Sequence, residues 1–268
     1  MLKLVHLTVD YPGKPGVLRD VSLEVERGEV LGLVGQSGAG KSSIALAVLK
    51  LLDGKGATTS GQVLLDGRDL MPLTQKQMRH VRGKQIGLVL QSPLSSLNPV
   101  LTIGTQLAEA WRAHENGPPG RERLFEVLEN VSLPGDDALL RSYPRQLSVG
   151  LAQRVLIALA ILHHPPLLIA DEPTSALDVI TQSEILQLFA RLHGEMQMGI
   201  LYISHDLLSI ASLCHRVAIL HKGEIVECGT PEQIFQRPEH PYTRQLIEAL
   251  PRSPWERTSA ARVPNRRP

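Results

Sequence analysis

The chain opens with two segments in which apolar and polar residues alternate, which is the pattern of a half-buried β-strand. The apolar positions are Leu2, Leu4, Leu7 and Val9 in the first segment and Val21, Leu23 and Val25 in the second. Residues 30–34 are then apolar throughout, which predicts a strand buried on both faces of a sheet. Residues 42–52 have helical composition, and residues 61–70 indicate a strand followed by a turn.

The pattern changes in the middle of the chain. A short strand is predicted at residues 86–90, and from about residue 93 to residue 160 helical patterns replace strand patterns. The elements predicted beyond that stretch are strands at 167–170, 200–204, 217–220 and 224–227 and a helix at 179–192. Strands that alternate with helices favour a mainly parallel sheet. We therefore expect an α/β fold with an antiparallel β part at the N-terminus and a helical subdomain inserted at about 93–160.

The composition is that of an ordinary globular chain. It has 268 residues, of which 43% are hydrophobic, and a formal net charge of +1, which provides no basic field for nucleic acid. Two cysteines are too few for a disulfide framework and indicate a reducing compartment. The longest strongly apolar stretch, residues 155–162, is far shorter than the about 20 residues that span a bilayer. We expect one domain over residues 1–250, a disordered tail over residues 251–268, and no membrane crossing by this chain alone.

A glycine-rich segment, Gly35-Gln36-Ser37-Gly38-Ala39-Gly40-Lys41-Ser42, follows the first buried strand and matches G-x-x-x-x-G-K-[ST]. Glycines let such a loop curl so that several backbone N–H groups point at one polyphosphate, and the next helix adds its positive end. Lys41 is predicted to neutralise the β- and γ-phosphates, and the Ser42 hydroxyl to ligate Mg²⁺. A turn that binds nothing is the alternative, but the position between strand and helix favours a P-loop NTPase core of the RecA-like type, with ATP and Mg²⁺.

A second apolar strand, residues 167–170, ends in two carboxylates, Asp171 and Glu172. A carboxylate at the end of such a strand can hold Mg²⁺, which is the role predicted for Asp171. Glu172 is then placed to accept a proton from an attacking water. On its own the pair would be an ordinary acidic strand end, and the P-loop upstream favours the catalytic interpretation.

With these elements in this order, the chain resembles the nucleotide-binding domain of ABC transporters, from Val5 to about Leu250. Further matching segments are Tyr11, Gln91, Ser175-Ala176-Leu177-Asp178 and Ile203-Ser204-His205-Asp206. The resemblance implies that Tyr11 stacks on adenine, that Gln91 reaches Mg²⁺ and the attacking water, and that His205 contacts the γ-phosphate. Taken alone, Tyr11 would be interpreted as a packed aromatic and His205 as a capping or core histidine.

The resemblance therefore implies a complete set of site residues. Those assigned to ATP are Tyr11, Gly35, Ser37, Gly38, Ala39, Gly40, Lys41, Ser42, Ser43, Ser148, Gly150 and Asp178. Those assigned to Mg²⁺ are Ser42, Gln91 and Asp171, and those assigned to catalysis are Glu172, His205 and Gln91. The segment that ends at Asp178 is expected to cross a dimer interface.

The signature segment of that family, L-S-G-G-Q, is altered here to Leu147-Ser148-Val149-Gly150-Leu151. Ser148 can still cap the next helix and offer its hydroxyl to a phosphate. The branched side chain of Val149 is expected to narrow the approach of a phosphate or to require φ values that it resists. Two domains of this family pair head to tail, so each signature serves the partner's ATP. We expect a competent site at this P-loop, a weakened site at this signature, and a non-identical second ATP-binding subunit.

Two stretches are similar to the ATP-binding subunits of dipeptide, oligopeptide and nickel importers: residues 91–99 and Glu239-His240-Pro241-Tyr242-Thr243-Arg244. The similarity implies import of peptides or, alternatively, of nickel or metal chelates. It also implies two membrane permease subunits, an extracytoplasmic substrate-binding protein reached indirectly, and a peripheral location on the cytoplasmic face of the inner (plasma) membrane.

Three other functions fit parts of the pattern. A soluble ABC-type ATPase not coupled to transport would act on ribosomes or DNA, and the near-neutral charge disfavours such a partner. The single domain also disfavours this function. A nucleotide-binding module without catalysis is disfavoured by the presence of Lys41 and Glu172. An exporter subunit is less similar in sequence.

Overall fold

Residues 1–250 of the chain are described by the computed structural model, and the predicted tail at residues 251–268 lies outside them. Within that range, strands form two sheets. In chain order the strands are β1 (Leu2–Tyr11), β2 (Lys14–Val25), β3 (Val30–Val34), β4 (Thr58–Leu65), β5 (Arg68–Asp69), β6 (Ile86–Val89), β7 (Leu167–Asp171), β8 (Gly199–Ser204), β9 (Arg216–His221) and β10 (Glu224–Gly229).

Helices connect these strands, and five of them lie between β6 and β7. In chain order the helices are α1 (Lys41–Val48), α2 (Gln75–Met78), α3 (Pro93–Ser96), α4 (Ile103–Arg112), α5 (Arg121–Asn130), α6 (Asp137–Arg141), α7 (Val149–Ile161), α8 (Val179–Met196), α9 (Leu207–Leu213), α10 (Pro231–Gln236) and α11 (Pro241–Glu248). Short 3₁₀ turns lie at Asp53–Lys55 and Pro144–Gln146.

The larger sheet is mainly parallel. Its order is β10-β9-β3-β8-β7-β6, and only β10 runs antiparallel to its neighbour. The central strand β3 is apolar and buried at all five positions, so it packs on both faces. Val30 and Val34 enter the core on one side of the sheet, whereas Leu31 and Leu33 enter the core on the other.

Two layers cover the larger sheet. The antiparallel sheet β2-β1-β4-β5 and helix α1 enclose one core, which contains Leu2, Val21 and Ile44. Helices α7, α8 and α9 close the other core with side chains such as Ile157 and Phe189. The expected α/β class, parallel sheet, antiparallel N-terminal part and helical insertion are confirmed.

Two helices, α1 and α8, end at other residues than the apolar pattern predicts. Helix α1 ends at Val48, four residues before the predicted end, although Leu49 and Leu52 are still buried. Leu49 still donates to the carbonyl oxygen of Ala45 at 3.3 Å, but Lys50 has a left-handed φ of 49°. The backbone therefore leaves the helix at Lys50, although the apolar pattern continues. Helix α8 is longer than predicted and ends before Gln197, which has a left-handed φ of 51°.

Within residues 1–250, no helix combines the length and the hydrophobicity needed to cross a bilayer.

Candidate functional site

The predicted chemistry lies along one edge of the larger sheet. The P-loop follows β3, Gln91 follows β6, Asp171 and Glu172 stand at the end of β7, and His205 follows β8. The strands β3, β6, β7 and β8 are parallel neighbours, so their carboxyl ends meet at the same edge. Ligands of open α/β sheets bind at this edge.

Close backbone packing explains the glycines that begin and end the P-loop. A Cβ added to Gly35 would lie 2.4 Å from the carbonyl oxygen of Leu220. A Cβ added to Gly40 would lie 2.8 Å from the carbonyl oxygen of Val17, and Gly40 also has a φ of 109°. Both positions therefore exclude a side chain, and Gly40 needs a conformation that other residues avoid.

Lys41 lies at the centre of the loop as the first residue of α1. Its side chain is 5% exposed, and its ammonium donates to the carbonyl oxygens of Gly35 at 2.8 Å and Gln36 at 3.2 Å. It also forms an ion pair with Glu172, with 3.3 Å between Nζ and Oε1. The Lys41 ammonium, which is predicted to contact phosphate, thus already lies inside the loop.

Glu172 brings together the residues predicted to act in catalysis. The Gln91 amide donates to Glu172 Oε2 at 3.3 Å, and the ring nitrogen Nδ1 of His205 lies 3.0 Å from the same oxygen. The Glu172 backbone has a left-handed φ of 47°, and its N–H donates to the carbonyl oxygen of Ile203 at 2.9 Å. This conformation is uncommon for a residue with a Cβ and is typical of functional sites. The tight turn aims the carboxylate at Lys41.

Asp171 has a different environment from its neighbour. It is buried, the Ser42 hydroxyl lies close enough to lower its pKa, and its Oδ1 has no hydrogen-bond partner among residues 1–250. Burial and the adjacent Glu172 charge raise the pKa of Asp171 above its usual value, although Ser42 and Lys41 oppose the shift. A desolvated carboxylate with a free oxygen beside a hydroxyl fits the donor set that Mg²⁺ prefers.

A cleft of about 380 Å³ opens over the P-loop. Its lining includes the predicted residues Tyr11, Ser37, Gly38, Gly40, Lys41, Ser42, Ser43, Gln91 and Glu172. The Tyr11 hydroxyl lies 3.1 Å from the Ser43 hydroxyl, which ties the aromatic residue to α1.

Lys14 and Val17 also line the cleft and were missed. The pairing of Tyr11 with Lys14 across the β1–β2 turn is the only signal that could have placed Lys14 there.

Five predicted ATP contacts do not line this cleft: Gly35 and Ala39, which belong to the P-loop itself, and Ser148, Gly150 and Asp178, which lie outside the loop. Ser148 caps α7 by accepting the Leu151 N–H at 3.3 Å, and Asp178 caps α8 by accepting the N–H groups of Ile180 and Thr181. The backbone strain expected at Val149 is wrong, because Val149 is the first residue of α7 and has a negative φ.

Two family models match the sequence. The model described as ABC transporter matches residues 18–175, which is more than half of the chain. The chain belongs to the ABC transporter family. A second model, described as the C-terminal region of oligopeptide/dipeptide transporters, matches residues 226–268. This second match includes the Glu239–Arg244 motif noted in the sequence.

Curated relatives of this ABC chain include glutathione import ATP-binding proteins. GsiA of Escherichia coli (strain K12) is 44% identical over 247 residues, which are 89% of this chain and 40% of that protein. GsiA of Salmonella typhimurium is 46% identical over 243 residues, which are 87% of this chain and 39% of that protein. The chain therefore spans about two fifths of the length of these relatives.

Solved ABC cassettes have the same fold. A dimeric structure of the ATP-binding cassette MJ0796 in a post-hydrolysis state, bound to ADP and Pi, has a TM-score of 0.75 at 28% identity and covers 86% of this chain and 99% of that one. The structure of cbiO1 from Clostridium perfringens, part of the ABC transporter complex cbiONQ, has a TM-score of 0.75 at 26% identity. That match covers 93% of this chain and 95% of the other.

Proposed function

We propose that this chain binds and hydrolyses ATP and thereby energises an ABC importer of peptides. The observation that carries the proposal is the Glu172 carboxylate, which lies within 3.3 Å of Lys41, Gln91 and His205 beside the P-loop cleft. A carboxylate held among these groups, next to a phosphate-binding loop, fits the base of a phosphoryl-transfer site.

Binding begins at the loop. Tyr11 stacks on the adenine, and the backbone N–H groups of Gly38 and of residues 40–43 bind the phosphates. The Lys41 ammonium exchanges its bonds to the loop carbonyls for bonds to phosphate oxygens. Ser42, Asp171 and Gln91 would hold Mg²⁺. When bound, this ion offsets charge on the phosphate oxygens and fixes their orientation.

Hydrolysis then requires one proton transfer and little covalent chemistry from the protein. A water between the γ-phosphate and Glu172 gives one proton to the carboxylate as its oxygen attacks the γ-phosphorus. The bond from that phosphorus to the β–γ bridging oxygen breaks, and ADP leaves with the electron pair. Gln91 and His205 both contact Glu172 Oε2 and therefore orient the carboxylate. His205 also steadies the γ-phosphate. Positioning and charge neutralisation provide most of the rate enhancement.

The active assembly is a head-to-tail pair with a second, non-identical ATP-binding subunit. Its support is the separation of Ser148, Gly150 and Asp178 from this chain's cleft, together with the dimeric state of the MJ0796 cassette. In such a pair the P-loop site of this chain is competent, and the site that uses its altered signature is weakened.

The pair acts on two membrane permease subunits, and an extracytoplasmic binding protein delivers the substrate to them. This chain lies peripherally on the cytoplasmic face of the inner (plasma) membrane. The helical subdomain next to Gln91 transmits the motion to the permeases. The match to the oligopeptide/dipeptide transporter region and the glutathione import relatives favour a short peptide over a nickel or metal chelate.

The decisive variant is Glu172→Gln in the membrane-assembled complex. We expect ATP turnover and peptide uptake to fall by about a hundredfold or more while ATP still binds, because the base is lost and the phosphate contacts remain. Glu195→Gln is the matched control, since Glu195 is an exposed residue of α8 that pairs only with Arg191 among the described residues.

Unchanged turnover in Glu172→Gln would mean that hydrolysis takes place at the partner's site. If Glu172→Gln abolishes nickel uptake and leaves peptide uptake intact, the importer would instead be assigned to metal chelates.

A further inference from the structure

The C-terminal motif Glu239-His240-Pro241-Tyr242-Thr243-Arg244 contacts the P-loop, although about 200 residues separate the two in sequence. The backbone N–H of Gln36 donates to the hydroxyl oxygen of Tyr242 at 3.2 Å, across a separation of 206 residues. Gln36 is the second residue of the P-loop, and Tyr242 lies in the first turn of α11. The motif that marks the importer subfamily therefore meets the loop predicted to bind phosphate.

The Tyr242 ring is fixed by its packing. Tyr242 is 6% exposed, and its ring stacks on that of His221, with 3.7 Å between centroids and 27° between planes. His221 ends β9, directly after Leu220, whose carbonyl oxygen closes the space beside Gly35. One strand end thus supports both the start of the P-loop and the tyrosine that holds its second residue. Burial raises the pKa of Tyr242, so the phenol stays protonated and accepts through a lone pair.

The other residues of the motif fix the position of Tyr242. Glu227 of β10 accepts the backbone N–H groups of Glu239 at 2.9 Å and His240 at 3.0 Å. The Nδ1 atom of His240 then caps α11 by accepting the Tyr242 N–H at 3.2 Å. Arg244 donates to the carbonyl oxygens of Pro238 and Glu239. These bonds stabilise the turn before α11 and orient the Tyr242 side chain toward the P-loop.

Gln36 is held on both of its backbone polar groups. Its N–H is bound by Tyr242, while its carbonyl oxygen accepts the Ala39 N–H at 3.1 Å and the Lys41 ammonium at 3.2 Å. A shift of Gln36 therefore also moves its carbonyl oxygen, which accepts the Lys41 ammonium. Lys41 is the residue predicted to contact the phosphates. Such small displacements are costly where several donors must converge on one ligand.

We propose that Tyr242 is a positioning residue for the P-loop: its hydroxyl fixes Gln36 so that Lys41 and the loop N–H groups are pre-arranged for the phosphates of ATP. The subfamily motif at residues 239–244 then serves to anchor that hydroxyl. This inference rests on the proposed binding of ATP at the same loop.

The test uses the full chain with Tyr242→Phe, which keeps the ring stacked on His221 and removes only the acceptor. Tyr143→Phe is the matched control, since Tyr143 lies on the surface before α7. The Kd for Mg–ATP, measured by calorimetry, should rise about three- to tenfold in Tyr242→Phe, as expected for one lost hydrogen bond. The control should keep the wild-type Kd.

Two further readouts separate positioning from general destabilisation. The melting temperature of Tyr242→Phe without nucleotide should stay within about 4 °C of wild type. Since coupling between sites is reciprocal, Mg–ATP should slow hydrogen exchange in α11 of the wild type and not in Tyr242→Phe.

The outcomes distinguish this inference from the proposed function. Wild-type ATP affinity in Tyr242→Phe, with α11 still protected by nucleotide, would overturn the positioning role and leave the proposed function standing. Weaker binding together with a larger fall in melting temperature would also overturn it, in favour of a purely structural role. A wild-type chain that binds no ATP would remove the proposed function and this inference with it.

Discussion

At the scale of single residues, the two neighbouring carboxylates differ because their surroundings differ. Glu172 contacts an ammonium, an amide and an imidazole nitrogen, so both of its carboxylate oxygens have partners. Asp171 is buried with one oxygen unpartnered among residues 1–250, and burial raises its pKa. One carboxylate is therefore stabilised as it stands, whereas the other is poised to gain from a cation.

Replacing Asp171 with Asn should make the chain more stable and less able to respond to Mg–ATP. The raised pKa means that the folded state binds the proton more tightly than the unfolded state does. The stabilisation from this group is therefore complete below the unfolded pKa and declines as pH rises through the folded one. At neutral pH the neutral Asn removes that penalty, so its melting temperature should exceed that of wild type.

Melting curves with and without Mg–ATP check this expectation. The advantage of Asp171→Asn should shrink as pH falls through the folded pKa and should be lost well below the unfolded Asp pKa of about 3.9, where the carboxyl is protonated in both states. Mg–ATP should raise the melting temperature of wild type and have little effect on the variant. A less stable Asn variant at neutral pH would contradict the account of Asp171.

Most residues that line the candidate cleft could be predicted from the sequence because the motif chemistry is local. The P-loop and Glu172 directly follow buried strands, and Asp171 is the last residue of one, so their side chains meet at the sheet edge. Lys14 and Val17 were missed because they approach the loop through a hairpin whose turn sets their position. The hydroxyl of Tyr242 was missed for a similar reason, since only tertiary packing brings it to Gln36.

At the scale of elements, Gly150 sets how closely α7 approaches α8. A Cβ added to Gly150 would lie 2.7 Å from the Cγ2 methyl of Thr181, and Gly150 has no left-handed φ. The glycine is thus required by helix contact rather than by backbone conformation. The Thr181 hydroxyl meanwhile donates to Asp178 Oδ2 at 2.7 Å, so the methyl and the hydroxyl of one side chain have separate partners.

The variant Gly150→Ala should destabilise the fold by about 1–3 kcal/mol, because the new methyl overpacks the α7–α8 contact. Thr181→Ser removes the opposing methyl and keeps the hydroxyl that bonds Asp178. The double variant should therefore unfold at nearly the same denaturant concentration as Thr181→Ser alone. Urea titrations of the four proteins measure this coupling, and additive effects would disprove the contact.

Elements with a strong repeating pattern were predicted well, whereas short ones were not. Strands β1, β2, β3, β7 and β8 follow from alternation or from unbroken apolar runs. Helices α9, α10 and α11 have eight residues or fewer, which is about two turns and too short for a clear period. Their starts are set by caps such as Thr230 and His240, whose side-chain bonds depend on the final fold.

At the scale of the whole molecule, the altered signature lies on the surface, away from this chain's cleft. Val149 is half-buried at the start of α7, and Leu151 is 39% exposed. In a head-to-tail pair these side chains would face the partner's γ-phosphate, where the family pattern has a glycine and a glutamine. The two ATP sites of the proposed complex are therefore chemically unequal.

Restoring the glycine with Val149→Gly should raise turnover of the assembled complex up to about twofold, since two working sites replace one. The same change in the Glu172→Gln background isolates the partner's P-loop site, and residual turnover there should rise. Val179→Gly is the control, since Val179 is an exposed valine at the first position of α8. Residual turnover that stays constant would remove the support for unequal sites.

The order of strands in the larger sheet also bears on how the chain is made. Strand β3 pairs with β8 and β9. Val30 therefore cannot pair until Ile200 has been synthesised, and Leu31 cannot pair with β9 until Arg216 has been synthesised. A ribosome adds about 5–20 residues per second, so this apolar strand leaves the exit tunnel many seconds before either neighbour exists. During translation this fully apolar strand is thus unpaired, and it offers a target to chaperones that bind nascent apolar segments.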